Sequence, residues 1–429
     1  MGRLSVGGKG SGRALVAALA ILVLAGLSCV VVRLMSATDT RSPLGSAPVT
    51  PPPVSPPPAS PPLAESPSPA PPDSPSLTAD ACVESILSRL TLQERVGQLL
   101  MIGTPLADPT SITGSVRQYH LGGVFLAGRS GAPAAKLRQS IRIVQSAAAT
   151  SPVPLHIALD QEGGQVQTLR GPDFPPVPSA VVQGSWDTAT LDARTADWAR
   201  RLASIGVTID LAPVADVVPA SIGARNPPIG AFHREYGSRP GPVGADIRTV
   251  VASVQRNGVL TTLKHFPGLG RVLANTDTST GAVDNATSAG DPSLQPFAQG
   301  IQAGSAAVMV SSARYPRLDP HTVAAFSAPI VTGLLRQRLG YTGLVLSDDL
   351  GGAVAVSSVP LGDRAVRFVA AGGDLVLSVR SSDAGPMSRA LLAAARASAG
   401  FQNRVADAVR HVLRSKYRAG LLRCPPATR

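Results

Sequence analysis

Short, nearly continuous apolar runs alternate with longer amphipathic segments through most of this chain. Apolar residues on both faces are typical of parallel strands covered on both sides, whereas the longer segments have helical spacing. Eight apolar runs can be counted: Gln98–Gly103, Gly122–Leu126, Leu155–Leu159, Val207–Leu211, Val259–Leu263, Ala307–Val310, Gly343–Leu346 and Asp374–Leu377. The amphipathic segments between them include Pro133–Ala149, Thr188–Ile205, Val243–Asn257 and Ser327–Leu339. Eight strand and helix repeats predict an α/β fold, a (β/α)8 barrel of the TIM type.

Polar residues follow the predicted strands at one end. Five motifs come directly after a run: DQEGG (160–164), APVADV (212–217), KHFPG (264–268), SSARYP (311–316) and SDDL (347–350). The carboxyl ends of parallel barrel strands surround one mouth, where barrel active sites are assembled. A doubly wound sheet would also place polar residues at strand ends, but no GxGxxG motif or phosphate-binding loop follows the first run. The pattern therefore predicts one site at the mouth of a barrel.

The KHFPG motif carries the most informative pair of residues. Lys264 is one of only four lysines beside thirty-five arginines, which indicates that an amine is required there. Lys264 and His265 would point to opposite faces of a straight strand, but the following Pro267 and Gly268 indicate a bend that lets both face one ligand. The same Lys-His pair would also occur if the lysine were at the surface and the histidine in the core. The polar motifs after the other strands favour the interpretation that both residues belong to a binding site.

The first fifth of the chain has a different composition. Residues 14–32 are uncharged, mostly apolar and flanked by Arg13 and Arg33, which predicts an N-terminal membrane anchor or signal over residues 1–35 and export of the rest. A lipidated Cys29 after cleavage is the alternative. Residues 36–77 are rich in Pro, Ser and Ala and predict a disordered linker that could reach roughly 100 Å. The predicted globular domain is 78–429, held outside the cytoplasm and anchored to the membrane.

Charge and cysteine content limit the partners and cofactors that the sequence predicts. The formal net charge is +12, but the arginines are not clustered with aromatic residues, so nucleic acid is not a predicted partner. Once Cys29 is assigned to the anchor, Cys82 and Cys424 bracket the globular domain and predict a disulfide in an oxidising compartment. No CxxC or Cys/His spacing indicates a metal, and no cofactor is predicted.

Carboxylates, an amine, an arginine and an imidazole at one mouth suit a neutral, polyhydroxylated substrate. Carboxylates accept hydrogen bonds from hydroxyl groups and cations donate to them. Cleavage of a glycosidic bond passes through an oxocarbenium-like state that a carboxylate stabilises or traps. Aromatic residues make up only 3% of the chain, so hydrogen bonds rather than stacking must carry most of the recognition.

The motifs DQEGG, NPPIG (226–230) followed by REYG (234–237), KHFPG and SDDL occur in an order that resembles the family-three glycoside hydrolases of the single-barrel bacterial β-N-acetylglucosaminidase type. The resemblance implies a retaining enzyme acting on terminal β-linked N-acetylglucosamine, typically in peptidoglycan fragments. It implies that Asp348 is the catalytic nucleophile. It also implies that four residues bind sugar hydroxyls: Asp160, Arg234, Lys264 and His265.

This chain departs from the family pattern where the acid/base is expected. The family carries a histidine after KHFPG and then a loop bearing Asp-Ser-His, whose histidine is the acid/base. Here Leu269 replaces the first histidine, and Asn275-Thr276-Asp277 occupies the loop. Asp277 is the candidate acid/base and His233 a rival proton donor. The same three residues also favour a simple turn, in which case neither residue serves.

A second departure lies after DQEGG, where Thr168 stands at the position of an expected arginine and Arg170 follows two places on. Of the remaining polar residues, His156 lies within an apolar strand and is predicted to be a core histidine. Asp216 is predicted to brace the barrel rim, and Asp349 to accept hydrogen bonds behind Asp348. Three further histidines are interpreted as surface or structural residues: His120, His321 and His411.

Two other functions fit the same residues. One is a barrel that binds cell-wall amino sugars after losing strong catalysis. The other is a phosphate-dependent glycosyl transferase on the same fold, in which the basic site admits phosphate as the acceptor.

Overall fold

Eight parallel strands form the centre of the molecule in a computed structural model that describes residues 78–150, 153–422 and 424. The strands are β1 (Leu100–Pro105), β2 (Gly123–Ala127), β3 (His156–Leu159), β4 (Ile209–Asp210), β5 (Leu260–Phe266), β6 (Ala307–Val310), β7 (Leu344–Ser347) and β8 (Val376–Ser378). They pair in the order β7-β6-β5-β4-β3-β2-β1-β8. Backbone hydrogen bonds from Ser347 N to Leu375 O (3.1 Å) and from Leu350 N to Leu377 O (3.0 Å) bring β7 against β8. The predicted barrel is confirmed, and each predicted run overlaps one strand.

Helices surround this barrel. They are α1 (Ala79–Arg89), α2 (Leu92–Gln98), α3 (Thr113–Tyr119), α4 (Ala134–Ala147), α5 (Ala180–Gln183), α6 (Thr188–Ile205), α7 (Pro240–Arg256), α8 (Gln295–Gln302), a π-helix (Pro329–Arg338), α9 (Leu361–Ala370), α10 (Ala384–Ala397) and α11 (Ala399–Arg418). Two small hairpins lie in the loops: Gln161–Gly163 with Val166–Gln167, and Arg314–Tyr315 with Asp319–Val323. The predicted anchor (1–35), Cys29 and the linker (36–77) lie outside the described residues.

Helix α6 shows how local sequence sets an element's limits. The Asp187 side chain accepts a hydrogen bond from Thr190 N (2.8 Å), which caps the first turn. Gly206 follows the last turn with φ +94°, a left-handed conformation that glycine adopts without steric cost. The buried face includes Leu191 and Leu202. These signals explain why the predicted span of this helix agrees with the observed one.

The strands are buried on both faces, as their continuous apolar sequences predict. On β7, Leu344 and Leu346 belong to the cluster inside the barrel, while Val345 packs in the outer cluster between strands and helices. The inner cluster also contains Met101 of β1 and Leu260 of β5. Because alternate residues fill different layers, each strand contributes to both cores.

Helix α11 covers the amino-terminal end of the barrel strands. The ring of the buried His156, at the start of β3, contacts Thr208 Oγ1 through Nδ1 (3.1 Å) and Ser415 Oγ through Nε2 (2.8 Å). His156 is therefore a core histidine, as predicted. Lys416 is also buried, and its Nζ donates to Gln98 Oε1 (2.6 Å). Burial lowers the pKa of Lys416 well below its ordinary range. The end of the barrel opposite the mouth is thus closed by a packed polar cluster.

Helices α1 and α11 are joined at the ends of the domain. Cys82 and Cys424 form the predicted disulfide, with a Cα–Cα distance of 5.5 Å. Two ion pairs run alongside it, Arg410–Glu84 (2.6 Å) and Arg414–Asp80 (3.0 Å). Under the chain-entropy account, closing so long a loop stabilises the fold by about 4 kcal/mol or more. Among the residues that the structure describes, no helix has the length and apolarity to cross a membrane.

Candidate active site

A pocket of about 230 Å³ lies at the carboxyl ends of the strands. Its walls include all six residues singled out from the sequence: Asp160, Arg234, Lys264, His265, Asp277 and Asp348. They come from the ends of β3, β5 and β7 and from the loops after β4 and β5. The structure therefore brings together residues that are up to 188 positions apart in the chain, as Asp160 and Asp348 are. This placement is the one predicted for a barrel active site.

Lys264 is the centre of a buried charge cluster on one side of the pocket. Its Nζ lies 2.6 Å from Asp160 Oδ1 and 2.5 Å from Glu162 Oε1. Arg234 forms a two-point pair with the same glutamate, through Nε (2.8 Å) and Nη2 (2.7 Å). Burial alone would raise the pKa of Glu162, but Arg234 and Lys264 outweigh it and hold that pKa at about 2. Asp160 keeps 27% of its side chain exposed, so it is the carboxylate of this cluster that a ligand can reach.

Glu162 is the residue that the sequence interpretation missed. It lies in the strand Gln161–Gly163, two positions after Asp160, and alternation along an extended chain places both side chains on one side. The signal was present in DQEGG, but the second carboxylate does not line the pocket and acts on Lys264 and Arg234 instead. Its role is to fix two cations whose other donor sites face the ligand.

His265 is oriented by Asp216, which is fully buried. The ring Nδ1 lies 2.8 Å from Asp216 Oδ2, and the backbone N–H groups of His265 and Leu269 donate to the same carboxylate at 3.1 and 2.8 Å. Asp216 thus braces the rim as predicted, and it leaves His265 Nε2 turned toward Arg234 Nη2 (3.4 Å).

Strand β5 continues further than the sequence suggested. Lys264 and His265 are both strand residues, but the pairing of β5 with β6 shifts register between Leu263 and Phe266. The predicted turn is also present, since Gly268 N donates to His265 O (2.8 Å). The peptide bond between Lys264 and His265 is cis. Both side chains line the pocket, as predicted from the expected bend.

A further buried carboxyl lies behind the cluster. Asp210, at the end of β4, accepts a hydrogen bond from Gln161 N (3.0 Å). Burial, with smaller contributions from Asp160 and Glu162, raises the pKa of Asp210 to about 7, although Gln161 and Lys264 act in the opposite direction. The Asp210 carboxyl therefore holds its proton to a higher pH than an ordinary aspartate does. Over the described parts of the chain, no group of three or more His, Cys, Asp or Glu side chains is arranged to hold a metal ion.

Asp348 and Asp349 occupy the opposite side of the mouth, directly after β7. The Asp348 side chain accepts one hydrogen bond from within the described chain, from Asp349 N (2.9 Å), and otherwise faces the pocket. Asp349 instead accepts from the backbone N–H groups of Gly351, Gly352 and Val379 at 2.9, 2.9 and 3.1 Å. Asp349 is a hydrogen-bond acceptor that shapes the turn, as predicted, although it also lines the pocket. Because its oxygens are occupied by three backbone N–H groups, Asp348 is the less engaged carboxylate of the two.

Asp277 reaches the pocket from the loop after β5. Its backbone N–H donates to Asn275 Oδ1 (2.9 Å), so the predicted turn is present. Thr276 is buried, and its carbonyl accepts from Ala355 N (3.0 Å), which ties this loop to the chain that follows Asp348. Although Asp277 keeps solvent access, partial burial and then the Asp348 carboxylate raise its pKa, while His265 and Arg234 act against the rise. A turn and a carboxyl facing the nucleophile candidate are therefore both features of this loop.

The other departures from the expected motifs have clear positions. Leu269 lines the pocket in place of the expected histidine. His233 is exposed in the loop after β4 and is not part of the pocket wall, so the geometry does not favour it as proton donor. Thr168 lies outside this pocket and lines a neighbouring groove. The structure thus leaves Asp277 as the acid/base candidate that borders the pocket.

Replacing Glu162 by Gln tests the charge cluster. Because the native pKa of about 2 lies below the ordinary 4.5, Glu162 stabilises the fold fully above pH 4.5, and this contribution is lost as pH falls toward 2. At pH 7 we expect Glu162→Gln to lower the free energy of unfolding by about 3–5 kcal/mol, since two buried cations lose a partner. Between pH 5 and 3 the variant should lose less stability than the native protein.

Denaturant unfolding at several pH values measures both effects. Glu84→Gln is the matched control, because this glutamate pairs with Arg410 at the surface and its loss should change stability by less than about 1 kcal/mol. Equal losses in the free energy of unfolding would show that the buried cluster stabilises the fold no more than a surface ion pair does.

Comparisons with known proteins identify the family of this chain. The sequence profile described as "Glycosyl hydrolase family 3 N terminal domain" matches residues 91–415. This match covers more than half of the chain, and the chain belongs to glycoside hydrolase family 3.

Several named proteins are similar to this chain. A beta-hexosaminidase of Xanthomonas axonopodis pv. citri is 34% identical over 244 residues, which is 53% of this chain and 68% of that protein. The beta-hexosaminidase LpqI of Mycobacterium tuberculosis is 31% identical over 321 residues, covering 71% of this chain and 77% of that protein. The crystal structure of a beta-N-acetylhexosaminidase from Beutenbergia cavernae is 46% identical, with a TM-score of 0.75 over 76% of this chain and 99% of that one.

Proposed function

We propose that this protein is a retaining β-N-acetylglucosaminidase that hydrolyses N-acetylglucosamine glycosides derived from the cell wall. The observation that carries the proposal is the placement of Asp348 at the end of β7, facing the pocket that Asp277 also lines, where the Asp348 carboxylate helps to raise the pKa of Asp277. Named activities of the relatives from Xanthomonas, Mycobacterium and Beutenbergia support the same reaction.

The barrel geometry assigns the two sides of the pocket different tasks. Strands β3 and β7 are four positions apart in an eight-strand ring, so Asp160 and Asp348 lie on opposite sides of the mouth. A pyranose between them has its anomeric carbon at Asp348 and its far hydroxyl groups at Asp160 and Lys264. Asp160 accepts from those hydroxyls, Lys264 and Arg234 donate to them, and the His265 ring can donate or accept through Nε2.

The reaction then follows from two carboxyl groups. The Asp348 carboxylate attacks the anomeric carbon as Asp277 donates its proton to the departing glycosidic oxygen, which forms a glycosyl-enzyme. The Asp277 carboxylate next takes a proton from water, and that water displaces Asp348 and restores the original configuration at the anomeric carbon. The raised pKa of Asp277 supports its role, because a general acid must hold its proton near the working pH.

The proposed location is outside the cytoplasm, held at the membrane by residues 1–35 and spaced from it by residues 36–77. The Cys82–Cys424 disulfide supports an oxidising compartment. A wall-derived glycan is the substrate that fits this location.

A panel of aryl β-glycosides tests the proposed reaction. We expect the N-acetylglucosamine glycoside to be turned over well above the glucose and galactose glycosides. A fluorinated N-acetylglucosamine analogue should accumulate as a glycosyl-enzyme, and peptide mass mapping should place the label on Asp348. A label on Asp349 or Asp160 would contradict the assignment, and lack of turnover on every glycoside would favour a sugar-binding barrel. Sugar phosphate formed on adding phosphate would instead identify a transferase.

A further inference from the structure

A second groove adjoins the pocket on the β2 and β3 side. Its volume is about 350 Å³, and it shares Phe125, Asp160 and Val166 with the pocket. The remaining wall comes from the loop after β2, which carries Arg129, and from the segment around Gln165. Because three residues border both spaces, the groove lies directly beside the sugar pocket, on the side where Asp160 lies.

The position of the groove determines what part of a substrate it meets. Asp348 holds the anomeric carbon, and in a pyranose ring C4 lies directly across from C1. The O4 hydroxyl therefore points toward Asp160, on the opposite side of the barrel mouth. Whatever is attached to O4 extends past Asp160 and enters the groove, away from the leaving group that Asp277 protonates.

The groove exists where this chain departs from the family pattern. Thr168, at the position of the expected arginine, lines the groove and is held by a hydrogen bond from its N–H to Asp160 O (3.0 Å). An arginine side chain there would extend into this space, whereas the short threonine leaves it open. The loss of one side chain thus exposes the outer face of the Asp160 segment.

The lining of the groove suits sugar hydroxyls. Arg129 is exposed, and its Nη2 donates to Gln165 O (2.7 Å), which holds the guanidinium along the groove. Among the described residues it has no carboxylate partner, so its other N–H groups are available to a ligand. The exposed Gln165 side chain offers a donor and an acceptor. Gln167 only forms the wall, since its amide is used by Leu169 O (2.8 Å) and Pro175 O (3.1 Å).

We propose that this groove binds a second sugar, β-1,4-linked to O4 of the sugar at Asp348, so that the enzyme releases disaccharides as well as monosaccharides. The inference rests on the proposed function and extends it from single terminal sugars to longer glycans. Water is the only co-reactant: the bond between C1 and the leaving oxygen breaks, Asp348 holds C1, and water then takes its place.

The test compares the aryl β-glycoside of N-acetylglucosamine with that of its β-1,4-linked disaccharide. If the groove binds the second sugar, aryl alcohol appears from the disaccharide substrate without a lag, and intact disaccharide is the first sugar product by mass spectrometry. An enzyme restricted to the terminal sugar would show a lag and would release only monosaccharide. That result overturns the inference while the first substrate still supports the proposed function. Turnover of neither substrate overturns both.

Two variants locate the effect in the groove. Thr168→Arg supplies the missing side chain, and Gln165→Trp fills the groove from an exposed position without touching the buried core. For each, the ratio of kcat/KM on the disaccharide glycoside to that on the monosaccharide glycoside should fall at least about tenfold. Gln402→Trp, on the exposed surface of α11, is the matched control and should leave the ratio unchanged. If Gln165→Trp leaves the ratio unchanged, the second sugar does not lie in this groove, whatever the folding of Thr168→Arg.

Discussion

Replacing Asp348 by Ala is expected to reduce kcat/KM on an aryl N-acetylglucosaminide by about 10⁴-fold or more, because no other group then forms the glycosyl-enzyme. The fold should survive. The backbone N–H of Asp348 still donates to Val310 O (3.0 Å), and the side chain contributes only the hydrogen bond from Asp349 N. Steady-state kinetics give the loss, and a thermal unfolding midpoint close to that of the native protein shows that the loss is chemical.

Asp349→Asn is the matched control for this prediction. The amide oxygen can still accept from Gly351 N and Val379 N, and only the bond from Gly352 N is lost, so most of the turn should keep its shape and a measurable rate should remain. Activity of Asp348→Ala above about 1% of the native value, or a larger loss in the control, would remove Asp348 from its proposed role.

Replacing Asp277 by Ala should separate substrates by their leaving groups. A natural disaccharide needs its departing oxygen protonated, so its hydrolysis should slow by about 10²–10⁴-fold. An aryl glycoside with a good leaving group needs little protonation, and formation of the glycosyl-enzyme from it should slow far less. Added azide should then speed its turnover and give a β-glycosyl azide, because the small anion attacks the glycosyl-enzyme without help from a base.

The pH dependence gives an independent check on Asp277. Partial burial and the neighbouring Asp348 carboxylate raise the pKa of Asp277 above its ordinary 3.8, so the proton is retained at higher pH than for a free aspartate. Activity on a poor leaving group should fall as pH rises through this pKa, and this limb of the profile should disappear in Asp277→Ala. Thr278→Ala, at the exposed neighbouring position, is the control.

If Asp277→Ala hydrolyses both substrates at the native rates, the loop has a purely structural role. The turn held by Asn275 would then explain the sequence, and the proton would have to come from solvent or from His233. Because His233 lies outside the pocket wall, His233→Ala is expected to leave both rates unchanged.

Most of the fold was predictable because a barrel requires a repeating pattern of apolar strands and amphipathic helices along the chain. Residues such as Val345 and Leu346 are apolar because one packs outside the barrel and the other inside it. The end of β5 was harder to predict, since the strand and the turn that Pro267 and Gly268 indicate overlap: Gly268 N donates to His265 O (2.8 Å) while Phe266 still pairs with Val310. The sequence shows the turn, but the pairing that carries the strand past Leu263 depends on the neighbouring β6.

Site residues that directly follow a strand were predictable from the sequence. Contacts between residues far apart in the chain were not. Asp160, Lys264 and Asp348 follow strands, and their convergence is a property of the barrel. The pairing of Glu162 with Arg234 joins residues 72 positions apart, and nothing local to either residue specifies it. Likewise, the contact between Thr276 and Ala355 that holds Asp277 beside Asp348 arises only once two loops meet.

The disulfide at the ends of the domain has a mechanical consequence. Cys82 and Cys424 enclose every barrel strand in one covalent ring. A pulling force applied to the chain outside this ring passes through the S–S bond from α1 to the segment after α11, and it does not load the strands that carry Asp160, Lys264 and Asp348. Tension applied between the two ends of the chain therefore bypasses the pocket for as long as the bond remains oxidised.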